Sequence, residues 1–214
     1  MAVEDRGEEE QGGAVVLASG SVYRARLLAE AGIPAEVDPP DVDERALDDG
    51  FRALGAEGHA LDLARRKARS VAPRHPGRTV VAGDQVGVVD LPDGPLMLAK
   101  RTTEDGAVEQ LLHLSGTTHR LVNGLVVVGP DGAEHDGVDI QVVTMRRFDE
   151  AEARGYVRRF EPYDTSGSYR LEDQDDMASG AGFVVGVEGE DRSGVLGLPL
   201  PLLRRLLDSA RRAR

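Results

Sequence analysis

Two short polar stretches of the chain carry residue types that suit chemistry on a phosphorylated substrate. The first follows the apolar run Val15-Val16-Leu17 and supplies Ser19, Ser21 and Arg24. The second follows a run of small and β-branched residues and supplies one carboxylate, Asp84. Polar groups at the ends of buried strands are where α/β sheets present their ligand-binding side chains. Together the two stretches indicate a site for a phosphorylated substrate and an activated water.

Each stretch can serve either chemistry or local structure alone. Ser19 and Ser21 precede a predicted helix, whose first amides attract an anion, and Arg24 lies one turn into that helix. Asp84 can activate a water molecule or hold a divalent cation. The structural alternatives are an ordinary serine N-cap and a Gly-Asp turn that ends a strand, and taken singly they are the more frequent. The two stretches alone therefore leave both interpretations open.

Further charged residues lie in segments that do not distinguish them from solvated surface. Lys67 lies on a predicted basic helix and Lys100 follows a predicted hairpin, and the neighbours of both are those of an exposed lysine. Asp41, Asp43 and Glu44 form an acidic cluster. Such a cluster can ligate magnesium through one or two oxygens, but it is more often a hydrophilic loop.

Length and composition predict the domain organisation of the chain and exclude several kinds of chemistry and partner. The 214 residues predict a disordered acidic tail at 1–13 and a single domain at 14–214. The absence of cysteine excludes disulfides, thiolate catalysis and cysteine-ligated zinc. A formal net charge of −12 argues against a nucleic-acid duplex as partner, although a small anion stays compatible with it. No apolar run approaches the roughly 20 residues of a membrane span, and the first residues do not resemble a signal peptide, so we expect a cytoplasmic protein without a membrane partner.

Apolar periodicity predicts strands and helices that alternate along the chain, as in an α/β fold. The predicted strands cover residues 15–17, 35–37, 78–83, 120–128, 138–147 and 183–187, with a hairpin over 86–98. The predicted helices cover about residues 23–31, 59–71, 103–114 and 149–160, and a last one lies around 202–207. Residues 161–182 are predicted to be irregular, and loops of that length are usually functional or disordered.

Six motifs, taken in order, resemble the Maf family of nucleoside triphosphate pyrophosphatases across about residues 14–208. Singly each motif is weak, but their shared order and spacing make the resemblance specific. They are Leu17-Ala18-Ser19-x-Ser21, Asp41-Val42-Asp43-Glu44, Leu63-Ala64-x-x-Lys67-Ala68, Gly83-Asp84, Leu114-Ser115-Gly116 and Gly197-Leu198-Pro199-Leu200.

The resemblance implies a fold and an activity. The fold would be an elongated α/β fold of the Maf and ITPase type, with a mixed sheet flanked by helices and a central cleft. The activity would be hydrolysis of a nucleoside triphosphate to the monophosphate and pyrophosphate, with magnesium or manganese as cofactor, in a homodimer. Asp84 matches the proton acceptor, and Arg24, Glu44, Lys67 and Lys100 match charged residues around the triphosphate and the metal, with Asp84 and Glu44 as the metal ligands.

Three positions resemble the branch of the family that acts on 7-methyl-GTP. Tyr23, Gln85 and Glu172 stand where the dTTP/UTP branch has Arg, Thr and Gln. A base methylated at N7 is cationic, so an aromatic face and a carboxylate would favour it. Two alternatives stay open: a dTTP/UTP pyrophosphatase, and a nucleotide-binding regulator of septum formation with little turnover.

Overall fold

A computed structural model describes residues 13–43, 50–173 and 182–212. Glu44 and all but the last residue of the predicted tail lie outside these ranges, so both stay predictions. Within them the chain forms a seven-stranded mixed sheet flanked by helices, which confirms the predicted fold class. No helix of the described residues is long and apolar enough to cross a membrane.

The sheet has the strand order β2-β1-β3-β5-β6-β7, and β4 is an additional partner of β3. The first three strands of that order are parallel and the remaining pairs are antiparallel. The strands are β1 (Val15–Leu17), β2 (Ala35–Val37), β3 (Val80–Leu91), β4 (Gly94–Leu98), β5 (Thr118–Val128), β6 (Glu134–Met145) and β7 (Val184–Glu188).

The described helices agree with the predicted ones except at the start of α2. The helices are α1 (Val22–Glu30), α2 (Gly50–Val71), α3 (Glu104–Leu114), α4 (Glu150–Phe160) and α5 (Leu200–Arg212), with short 3-10 turns at Ala72–Arg74 and Arg192–Gly194. α4 begins with the predicted capping box between Asp149 and Glu152. α2 begins well before the predicted His59, and Gly55 interrupts it with a φ of 68°. Glycines in this first part weaken the helical pattern, which is why sequence periodicity missed it.

β3 changes partners along one of its edges. β5 pairs with one edge continuously from Val80 to Val89. On the other edge β1 pairs only as far as Val81, and β4 begins at Gly87. Between them, at residues 82–86, no described strand pairs with this edge of β3. Because β1 is parallel and β4 antiparallel to β3, the carboxyl ends of both strands meet at this gap, where α/β sheets bind ligands.

Asp84 lies in the middle of this gap. The prediction that Gly83-Asp84 ends the strand is therefore wrong, because β3 continues to Leu91. The polar residues do not stop the strand, since β5 supplies hydrogen bonds along its other edge throughout. What ends near Asp84 is the parallel neighbour β1, so the carboxylate still lies beyond the carboxyl end of a buried strand.

Two apolar clusters share one face of the sheet. Val81 packs with α1 and α5, whereas Val89 packs with α3 and α4. Between these two valines the same face of β3 carries Gly83, Gln85 and Gly87, since side chains alternate along a strand. The apolar packing is thus interrupted over the gap.

A buried histidine holds the irregular segment after α4 against the sheet. His119 of β5 and Tyr169 are both buried, and His119 Nε2 lies 2.8 Å from Tyr169 Oη. Burial lowers the pKa of His119 to about 4 and raises the pKa of Tyr169 above its usual range. The imidazole is therefore neutral near pH 7, and the segment around Tyr169 is anchored in the core.

The neutral histidine predicts that stability decreases on mild acidification. The pKa of His119 is lowered from 6.5 to about 4 in the folded protein, so the unfolded chain binds more protons between these two values and stability falls as the pH drops below about 6.5. We expect a loss of about 2 kcal/mol from this residue between pH 7 and pH 5. Urea unfolding at both pH values should show this loss in the wild type and its absence in His119→Gln. Equal losses in both proteins would contradict the assignment.

Candidate active site

Lys67 and Asp84 form a buried ion pair between α2 and β3. Lys67 Nζ donates a hydrogen bond to Asp84 Oδ1 at 2.6 Å. Gly124 of β5 lies opposite Asp84, and a Cβ there would lie 2.5 Å from the carbonyl group of Ala60. The glycine therefore lets α2 approach the sheet closely at Ala60, and Lys67 follows about two turns later on the same helix. This close approach brings the ammonium group to the carboxylate.

The pair is shielded from water, and only one oxygen of the carboxylate bonds to Lys67. The side chains of Lys67 and Asp84 are only 5% and 9% exposed. A buried carboxylate requires a partner of opposite charge, which Lys67 provides. Oδ2 of Asp84 accepts no hydrogen bond from a described residue. Asp84 lies where one edge of β3 has no described strand partner, so we expect this oxygen to be available to a water molecule.

Ser19, Ser21 and Arg24 form a second polar group at the same gap. Ser21 caps α1, and Ser19 Oγ accepts hydrogen bonds from the backbone of Ser21 at 3.2 Å and from Arg24 Nη1 at 3.1 Å. Arg24 Nε donates to the carbonyl oxygen of Gly197 at 2.8 Å. The N-cap interpretation of Ser21 is therefore correct. It does not compete with a binding role, because the cap orients the helix amides and the guanidinium group towards the end of β1.

Gln85 points to the opposite face of the sheet from Asp84. Its Nε2 lies 2.9 Å from the carbonyl oxygen of Gly194, 3.2 Å from that of Val195 and 3.1 Å from Asn123 Oδ1. The amide nitrogen thus braces the turn that precedes α5. Only Oε1 of Gln85 is left for a ligand, so its contribution to selectivity would depend largely on how it supports this turn.

The remaining predicted residues approach the gap from two sides. Lys100 is exposed and follows the end of β4, whose Leu98 lies opposite Gly87. Within the described chain it forms no ion pair with Asp84. Tyr23 interacts electrostatically with Arg170, and Glu172 with Arg26 of α1. The start of α1 and the segment around Glu172 therefore lie within electrostatic range of each other.

The donor set fits a cation that binds together with a phosphate. The described residues contain no group of three or more His, Asp or Glu side chains that could hold a metal ion. Magnesium usually binds through one or two carboxylates, several waters and substrate phosphates, so a dedicated cage is not required. Asp84 Oδ2 is a suitable hard oxygen for it. Glu44, the second predicted ligand, lies outside the described residues.

The surface has two depressions whose lining residues do not include Asp84. One of about 610 Å³ is lined by Asp41, Asp43 and the exposed arginines of α2. The other, of about 520 Å³, lies between α1 and α5. The candidate site is therefore described by the charged side chains around the unpaired edge of β3.

The sequence prediction missed Asn123 and Gly124. They lie in register with Gln85 and Asp84 on the neighbouring strand. Asn123 supports Gln85, and Gly124 permits the approach of α2. The sequence feature that could have revealed them is the interruption of the apolar run 121–128 by an amide and a glycine, in a strand that is otherwise mostly buried.

Comparison with known proteins identifies the family of this chain. Residues 14–210 match the family model described as Maf-like protein. This chain belongs to the Maf family. A 7-methyl-GTP pyrophosphatase of Nitrosococcus oceani is 36% identical to it over 92% of each chain. A dTTP/UTP pyrophosphatase of Caulobacter vibrioides is 37% identical over 88% of this Maf protein and 91% of the relative.

Other matches include a nucleoside triphosphate pyrophosphatase of Corynebacterium diphtheriae, which is 35% identical over 92% of this chain and 93% of the relative. Among solved structures, the Staphylococcus aureus Ham1 protein covers 77% of this chain and 91% of its own, with a TM-score of 0.43 and 16% identity. The relatives named for 7-methyl-GTP and those named for dTTP/UTP are about equally similar to this Maf protein.

The buried pair predicts a large stability effect when one partner is removed. Lys67→Met leaves the Asp84 carboxylate without its counter-charge, and this should lower the free energy of unfolding by about 3–5 kcal/mol. Adding Asp84→Asn should recover part of the loss, because the amide carries no charge. Urea denaturation of both variants measures the difference. Lys100→Met is the matched control, since an exposed lysine should change stability by no more than about 0.5 kcal/mol. Equal stability of Lys67→Met and the wild type would contradict the buried pair.

Proposed function

We propose that this Maf protein is a nucleoside triphosphate pyrophosphatase that releases pyrophosphate and the nucleoside monophosphate. The observation that carries the proposal is the buried Lys67–Asp84 pair at the free edge of β3. The hydroxyl-rich loop before α1 borders this edge on one side, and the segment that carries Lys100 borders it on the other. Family membership adds support, because the curated relatives are named for this class of hydrolysis.

In the proposed reaction Asp84 Oδ2 accepts a proton from a water molecule as the water oxygen attacks the α-phosphorus. The bond between the α-phosphorus and the oxygen that bridges to the β-phosphate breaks, and pyrophosphate leaves. Lys67 holds Oδ1, which fixes the orientation of the carboxylate. Arg24 and Lys100 reduce the repulsion among the phosphates, and such fixed charges are among the largest contributions to catalysis.

A divalent cation, magnesium or manganese, would be held by Asp84 and Glu44 together with the phosphates. Bound there, it would neutralise phosphate charge and favour the departure of pyrophosphate. Activity should therefore be lost in the presence of a chelator and return when either metal is added. We also expect a homodimer, which light scattering of the purified protein can test.

We further propose that the preferred substrate carries a 7-methylated or similarly modified base. Tyr23 offers a partly exposed aromatic ring at the start of α1, and Glu172 offers an exposed carboxylate on a nearby segment. An aromatic face attracts a cationic base, and a carboxylate adds charge attraction.

A nucleotide panel separates the alternatives. Pyrophosphate release from 7-methyl-GTP, dTTP, UTP and ITP, each with magnesium or manganese, identifies the preferred base. Reaction in ¹⁸O-labelled water should place the label in the monophosphate, because water attacks the α-phosphorus. Label in pyrophosphate would contradict the mechanism. Tight nucleotide binding without release from any substrate would favour the regulator.

Asp84→Asn should lower kcat by about two to four orders of magnitude, because an amide cannot accept the water proton. Its Oδ1 can still accept the hydrogen bond from Lys67, so nucleotide binding should persist, as measured by calorimetry. Asp90→Asn, on the exposed end of the same strand, is the control and should keep full activity. Full activity in Asp84→Asn would refute the assignment of the base.

Glu172→Gln should reduce the preference for 7-methyl-GTP over UTP by about ten- to a hundredfold, the effect of one lost charge-assisted hydrogen bond. Tyr23→Arg should act in the same direction, since it replaces the ring with a positive charge beside a cationic base. Glu30→Gln is the matched control, because Glu30 also interacts with Arg26 but lies at the far end of α1. Unchanged ratios of kcat/KM in both site variants would remove the 7-methyl-GTP proposal and leave the pyrophosphatase proposal intact.

A further inference from the structure

Gln110 is a polar residue in the apolar stripe of α3. It is 1% exposed, and its neighbours on the buried side of the helix are Ala107, Leu111 and Leu114. A buried amide is costly unless its hydrogen-bonding groups are satisfied. An apolar residue would fill this position without that requirement. The amide therefore needs an explanation beyond packing.

All four hydrogen bonds of the Gln110 amide reach outside α3. Oε1 accepts from the backbone nitrogen of Ala99 and from Arg101 Nε, both at 3.1 Å. Nε2 donates to the carbonyl oxygen of Ser166 at 2.6 Å and to Ser168 Oγ at 2.8 Å. These bonds use the full capacity of the amide. Its oxygen holds both neighbours of Lys100, and its nitrogen holds the segment that leads to Glu172.

The segment on the nitrogen side depends on such contacts for its path. Residues 161–173 contain neither helix nor strand. Ser168 has a φ of 56°, in the left-handed region that non-glycine residues rarely adopt. The hydrogen bond from Gln110 holds the Ser168 side chain, and His119 holds the next residue, Tyr169. These two anchors hold the chain at residues 168 and 169, and Tyr156 Oη then holds Arg170 and Asp173 on either side of Glu172.

We propose that Gln110 is a positioning residue that couples the Lys100 segment to the Glu172 segment. The inference rests on the proposed function, in which Lys100 faces the triphosphate and Glu172 faces the base. One side chain then sets the distance between the two parts of the substrate site. Because displacements of about 1 Å can reduce turnover a hundredfold, a shared anchor affects phosphate contact and base selectivity together.

Three variants test the contributions of the Gln110 amide oxygen and amide nitrogen separately. Gln110→Met has similar length and removes all four bonds, so kcat/KM should fall about tenfold, mainly through KM, and the ratio for 7-methyl-GTP over UTP should fall as well. Gln110→Glu keeps the acceptor for Ala99 and Arg101 but places an oxygen against the Ser166 carbonyl. KM should then stay within about threefold while the base ratio falls. Ser168→Ala should lower the base ratio only.

Hydrogen exchange gives a readout that does not depend on activity. Gln110→Met should accelerate amide exchange in the peptides that contain residues 99–101 and 166–170 together. Leu111→Ala, which destabilises the same helix without touching these bonds, is the control and should not accelerate exchange in the two peptides together or change the base ratio. Exchange in Gln110→Met that matches the wild type or Leu111→Ala would overturn the coupling. Absence of pyrophosphate release by the wild type would instead refute the proposed function, and exchange would still decide the coupling.

Discussion

β3 keeps one partner along one edge and exchanges partners along the other, and the candidate site follows from this exchange. On this edge β3 pairs with β1 as far as Val81 and with β4 only from Gly87, so the backbone between these two residues has no strand partner there. Continuous pairing with β5 keeps the strand intact across the gap. Loops that follow β1 and β4 therefore begin beside a stretch of β3 that is unpaired on this edge but held by β5 on the other. Rigid support of this kind is what a water-activating carboxylate needs.

The alternation of side chains along β3 gives the two faces of the gap different tasks. Asp84 points towards α2, where Lys67 balances its charge. Gln85 points to the other face, where it supports the turn before α5 together with Asn123. Arg24 links the same turn to the start of α1 through Gly197. The charge pair and the turn are thus held by separate sets of contacts.

Local signals predicted most of the elements, and long-range contacts decided the rest. Asp149 and Glu152 lie three residues apart, so their capping box is visible in the sequence. The position of Asp84 within β3 is not visible in the same way, because it depends on pairing with β5. For a similar reason the resemblance could assign Lys67 to the surroundings of the triphosphate and the metal, whereas its pairing with Asp84 became visible only in the structure. A buried amide such as Gln110 is conspicuous only once the apolar stripe around it is established.

Charge distribution sets a further constraint on any phosphorylated substrate. The chain carries a formal net charge of −12, which repels a triphosphate at long range. Arg24, Lys67 and Lys100 lie around the gap in β3, so attraction is confined to short distances, while Asp84 cancels part of the charge of Lys67. Salt screens the long-range repulsion over about 8–10 Å but weakens contacts in a shielded site much less. Binding to such a protein therefore depends on contact geometry more than on electrostatic steering, which makes the anchoring of each charged segment decisive.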